Sequence, residues 1–101
     1  MTPEGRIKLA IKAVLSKYQH CTYVYMPVPG GYGKSSLDYL GFCCGLGFAI
    51  EAKKPKGKPT PRQEGMIEDI KRGGGVVFVV NDVDSLQALD RWLEAVSAPL
   101  R

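Results

Sequence analysis

The chain has 101 residues, enough for one domain with one hydrophobic core and little beyond it. Its 45% hydrophobic and 24% charged content exclude disorder, collagen-like repeats and coiled coil, and no apolar run has the form of a signal peptide or nears the ~18 residues of a membrane span, so a cytoplasmic setting without membrane is expected. The net charge of +4 hides an asymmetry: residues 1–62 carry ten Lys and Arg against three acids, residues 63–101 four against seven, a layout that points to a polyanionic partner such as nucleic acid.

Thr2-Pro3 reads as a helix start, and Ile7, Ala10, Ile11, Val14, Leu15 and Tyr18 follow the i, i+3, i+4 spacing of one buried stripe. Extended one step backward, the stripe predicts that Glu4 faces inward at the first turn, where an acid also suits the helix dipole. His20 is expected to close this helix. Thr22 to Met26 predicts a strand, ended by Pro27, Pro29, Gly30, Gly31 and Gly33. Leu37 to Cys44 predicts a second strand, a short turn at Gly45 follows, and Leu46 to Lys53 predicts a third strand in a hairpin with the second.

Lys54-Pro55-Lys56-Gly57-Lys58-Pro59 is expected to be a basic loop, because two prolines and a glycine break both helical and strand periodicity. Thr60-Pro61-Arg62-Gln63 then forms a capping box for a second helix running to about Arg72. Gly73-Gly74-Gly75 ends it. The continuous apolar run Val76 to Val80 predicts a fourth strand covered on both faces and central in its sheet. Asp84 or Ser85 is expected to cap a last helix that turns Leu86, Leu89, Trp92, Leu93 and Val96 inward. The predicted order is αβββαβα, an α/β fold with a mixed sheet, in a single domain over residues 1–101.

Three cysteines, Cys21, Cys43 and Cys44, are odd in number and lack CxxC spacing, so buried reduced thiols are expected. Tyr23, Tyr25 and Trp92 are read as core or interface residues rather than base-stacking platforms. Gly33-Lys34 in the glycine-rich loop is no Walker A motif, since Val28 stands where its first glycine is required.

Alternation along the third strand places Gly47, Ala49, Glu51 and Lys53 on one face. An acid at the end of an apolar strand calls for compensation, and a divalent cation held with Asp38 of the neighbouring strand supplies it. Gln63 falls on the inward stripe of the second helix with Met66, Ile67 and Ile70. An acid in one strand followed by Glu51-Ala52-Lys53 in the next resembles the PD-(D/E)XK nuclease superfamily, although Leu37 stands where its proline would be. The helix-one acid, the glycine-rich loop, the run EAKKPKGKPTPRQ and its final Gln are more narrowly similar to the VRR-NUC group, with stand-alone domains of this size in phages and bacteria. The similarity extends from Glu4 to Val80.

The resemblance implies a restriction-endonuclease-like αβββαβ core and a metal-dependent, structure-specific DNA endonuclease of a bacterial or phage-infected cell, acting as a homodimer on four-way (Holliday) junctions. It implies Mg²⁺, with Mn²⁺ as substitute, held by Asp38, Glu51, the Ala52 carbonyl and Glu4. Lys53 would orient or deprotonate the attacking water or steady charge on the phosphate, with Gln63 as an active-site amide. By their position around the site, Lys34, Lys54, Lys56, Lys58 and Arg62 would hold DNA phosphates; Tyr32 and Lys34 in the glycine-rich loop read either as contacts or a wedge at a DNA junction or as part of a simple turn. A catalytically inactive DNA-binding module and a monomeric flap or end nuclease are the alternatives.

Overall fold

The structure, a computed structural model, describes residues 1–28 and 36–100. Helix α1 spans Pro3–Ser16: the Thr2 side chain accepts the Gly5 N–H, and proline at the first position loses no needed donor. The helix ends before the predicted point, so His20 lies in the turn beyond it rather than at its C-terminus. From its inner stripe, Ile11, Val14 and Tyr18 are buried and Ile7 and Leu15 partly so.

Strands β1 (Thr22–Tyr25), β2 (Tyr39–Cys43) and β3 (Leu46–Ala52) form an antiparallel meander, shorter at their ends than the sequence suggested. Between β2 and β3 the two-residue loop Cys44-Gly45 has φ of 51° and 85°, the positive pair of a type I′ turn, whose twist matches that of the strands it joins. β1 runs so close to β2 that a Cβ on Gly41 would lie 2.2 Å from the Tyr23 carbonyl oxygen. Gly41→Ala is therefore expected to push β1 outward and cost about 1–3 kcal/mol in urea denaturation, the usual range for overpacking.

Helix α2 (Pro61–Arg72) carries the predicted capping box, with the Gln63 N–H donating to Thr60 and the Thr60 N–H donating to the Gln63 side chain. It stops in a Schellman motif: Gly75 N–H reaches Ile70 O, Gly74 N–H reaches Lys71 O, and Gly74 takes φ of 92°. Strand β4 (Val76–Val80) then pairs parallel with β3. The sheet order is β1-β2-β3-β4, so β4 lies at an edge, correcting the central position expected of it. Its apolar run has another cause: Val77 and Val79 pack under α2, while Val76, Phe78 and Val80 face α1 and α3. Helix α3 (Val83–Ser97) is capped by Asp82, with Ser85 three residues inside, rather than by Asp84 or Ser85. A 3-10 turn, Ala98–Leu100, follows.

The result is a small α/β domain with a four-stranded mixed sheet, α1 and α3 on one face and α2 on the other. Phe48 and Phe78 both meet the Trp92 ring at 5.6 Å between centroids, in tilted geometries that suit aromatic quadrupoles. On the second face α2 covers β3 and β4 but not β1 and β2. Tyr23 and Tyr25 are consequently 67% and 52% exposed, with Phe42 beside them at 58%; the two tyrosines are not core residues. Among the described residues no helix is long and apolar enough to cross a membrane.

Candidate metal centre

Three local features of the chain bring Asp38 and Glu51 together. The β2–β3 register pairs Tyr39 with Ile50, which sets Asp38 beside Glu51 one step further along. Asp38 lies just ahead of β2 rather than inside a strand, so its backbone is free to bond sideways. The Asp38 N–H donates to Glu51 Oε1 at 3.3 Å, and the Asp38 carboxylate accepts the Ala52 N–H at 2.9 Å. Alternation along β3 sends Ala52 into the core and turns Glu51 and Lys53 to the α2 side.

Glu51 is 3% exposed, and its second oxygen accepts a hydrogen bond from Gln63 Nε2 at 2.9 Å. Gln63 thus has two jobs at once, completing the cap of α2 and holding the acid beneath it. The Lys53 ammonium stands 3.6 Å from Glu51 Oε2, itself largely shielded, while the Lys53 N–H is fixed by the Val80 carbonyl. Burial, and after it the charge of Asp38, pushes the Glu51 carboxyl above its ordinary value, with Lys53 and the Asp38 N–H pulling it back. The same two causes raise the Tyr39 phenol on the opposite side of the strand.

Carboxylate oxygens of this kind are the donors that a hard divalent cation would take. Two carboxylates, one of them buried, lie close enough for the charge of Asp38 to raise Glu51, with one nearby ammonium to balance them, and a cation held by both would remove their repulsion. The Ala52 N–H points at Asp38, and the carbonyl of an extended residue lies along the same strand edge, so the backbone can add a third oxygen. Glu4 does not join: its half-exposed carboxylate pairs with Lys8 at 3.7 Å. Among the described residues, no group of three ligand atoms includes it with Asp38 and Glu51.

Lys54, Lys56, Lys58 and Arg62 are all exposed on the loop that leaves Lys53 and on the first turn of α2. The loop is ordered by a turn from Lys54 to Gly57, with Pro55 second and Lys56 at φ of 66°, the pattern of a type II turn. Asn81 Nδ2 then holds the Gly57 carbonyl at 2.8 Å. The sequence carries no signal for this tether, which joins residues 24 apart along the chain. Lys34 and Tyr32 lie outside the described residues. A cavity of ≈ 550 Å³ lined by Leu9, Lys12, Val24 and Tyr39 sits between α1 and β1 and shares no residue with the carboxylate pair.

Because Gln63 serves both cap and acid, Gln63→Ala is expected to destabilise the chain by about 1–3 kcal/mol. It should also raise the Glu51 carboxyl further, read as a more alkaline midpoint for Mn²⁺ binding in a calorimetric pH series. None of the family models, curated proteins or solved structures compared with this chain matches it.

Proposed function

We propose that the chain is a metal-dependent, structure-specific DNA endonuclease that hydrolyses phosphodiester bonds, with Mg²⁺ or Mn²⁺ held by Asp38, Glu51 and the Ala52 carbonyl. The observation that carries this reading is the buried Glu51 carboxylate set against Asp38 through backbone hydrogen bonds, with the Lys53 ammonium 3.6 Å away. The resemblance of Asp38 and Glu51-Ala52-Lys53 to the PD-(D/E)XK pattern, in an αβββαβ order with a mixed sheet, agrees with it.

When bound, the cation supplies charge that polarises a phosphoryl oxygen and lowers the pKa of water. The protein groups do the rest. Glu51, fixed by Gln63 and the Asp38 N–H, presents its carboxylate without rotamer freedom. Lys53 orients the attacking water or steadies charge on the phosphate. The exposed cations Lys54, Lys56, Lys58 and Arg62 grip phosphates flanking the scissile bond, positioning DNA without reading its sequence.

A homodimer cutting four-way junctions completes the proposal. One site cuts one strand, so paired nicks call for two sites related by a dyad. The exposed face of Tyr23, Tyr25, Leu40 and Phe42 supports a second copy, since large apolar groups gathered in water are what an interface covers. Purified chain mixed with an intact four-way junction and Mg²⁺ is expected to give nicks placed symmetrically across the branch point. Binding without nicks would turn the reading into a non-catalytic DNA-binding module, and asymmetric cutting of flaps by a monomer would remove the dimer.

A further inference from the structure

At the opposite end of β2 from Asp38 the fold gathers the three cysteines. Cys21 ends the turn after α1, Cys43 is the last residue of β2, and Cys44 opens the type I′ turn. Pairing of Thr22 with Cys43 and a hydrogen bond from Cys44 N–H to the Cys21 carbonyl at 3.2 Å clamp the segments together. The three Sγ atoms lie within 4.8 Å of one another. They form a graded cup, with Cys43 fully buried at its floor, Cys21 half-buried and Cys44 exposed at its mouth.

Simple packing accounts for Cys43 but not for Cys44. An exposed side chain stabilises no core, and φ of 51° is a left-handed conformation where glycine or asparagine sits at lower cost. Burial and the neighbouring thiols push the Cys43 thiol up to about 12, so it stays protonated near neutral pH unless a strongly thiophilic ion displaces the proton.

We propose that Cys21, Cys43 and Cys44 form a three-sulfur site for a soft, thiophilic cation of the Zn²⁺ or Cd²⁺ type, separate from the oxygen site at Asp38 and Glu51. A Zn–S bond of about 2.3 Å in tetrahedral geometry places sulfurs about 3.8 Å apart, so the cup needs to close by no more than about 1 Å. Each thiol gives its proton to solvent as its sulfur bonds the ion, and the exposed side at Cys44 leaves the fourth position to water. The two sites differ in softness: carboxylates take Mg²⁺ or Mn²⁺, thiolates take the zinc group. Bound there, the ion ties the start of β1 to the β2–β3 turn, a structural clamp independent of any nuclease activity.

The test is a titration of the full, reduced, metal-stripped chain with Cd²⁺, followed by the ultraviolet sulfur-to-metal absorption band and by thermal melting. The band is expected to saturate at one ion per chain, with a rise in melting temperature, and Cd²⁺ should displace Zn²⁺ loaded beforehand. Cys21→Ser and Cys44→Asn should each abolish the band and the stabilisation, while Asp38→Asn keeps both. Cys44→Asn suits the turn, so its metal-free form should fold at least as well as the parent. No band at equimolar Cd²⁺, or a band that persists in Cys44→Asn, would overturn the proposal.

Discussion

Lys53→Ala is expected to leave DNA binding nearly unchanged and to slow cleavage by about 10²- to 10³-fold, the usual loss when one group stabilising transition-state charge is removed. Binding should survive because Lys53 is largely shielded, whereas Lys54, Lys56, Lys58 and Arg62 are exposed and are the proposed phosphate contacts. Lys53 also holds the Glu51 carboxyl down against burial and Asp38, so the variant's residual rate should need a higher pH to ionise that acid. Single-turnover cleavage across pH, with binding measured in Ca²⁺, separates these effects. An undiminished rate removes Lys53 from the mechanism, whereas lost binding makes it a phosphate contact.

The second large effect concerns metal and stability together. Asp38→Asn keeps an oxygen for the Ala52 N–H and removes the like charge facing Glu51. Mn²⁺ affinity should fall by about 100-fold or more, since even groups that only orient ligands are worth about 10- to 100-fold. Without metal the variant should be at least as stable as the parent near neutral pH. Because folding raises the Glu51 carboxyl, its contribution to stability is complete below its unfolded value of about 4.5 and is lost as pH rises through the folded value. The metal-free parent therefore loses stability across that window, Asp38→Asn loses less, and Mn²⁺, which binds the ionised acid, restores the parent only. Melting curves from about pH 4 to about pH 8 with and without Mn²⁺ check all three. A steeper loss in Asp38→Asn than in the parent would contradict the electrostatics.

Much of this site is legible in the residues themselves. Period-two alternation places Glu51 and Lys53 together, and Thr60-Pro61-Arg62-Gln63 announces the helix that covers them. Other features depend on tertiary facts that no short window carries. The run Val76 to Val80 reports that helices cover both faces of β4, which says nothing of whether β4 is central or at an edge. Tyr23 and Tyr25 share a face by alternation, but their exposure follows from where α2 lies across the sheet. Asp82, Asp84 and Ser85 are all acceptable caps, and only the hydrogen bonds between Asp82 and Ser85 choose among them. The stripe of α1 reaches Glu4, yet Lys8, one turn on, pairs with its charge instead. The three cysteines converge only once the type I′ turn and the β1 register exist.

The proposed hydrolysis requires Asp38 and Glu51 to share one hard cation. Crystals soaked in Mn²⁺ and measured at an anomalous wavelength are expected to show a peak at coordinating distance from both carboxylates, about 2.0–2.2 Å for a small divalent ion, and lost in Asp38→Asn. A Mn²⁺ peak elsewhere with none between these two side chains, at a concentration that supports cleavage, would contradict it.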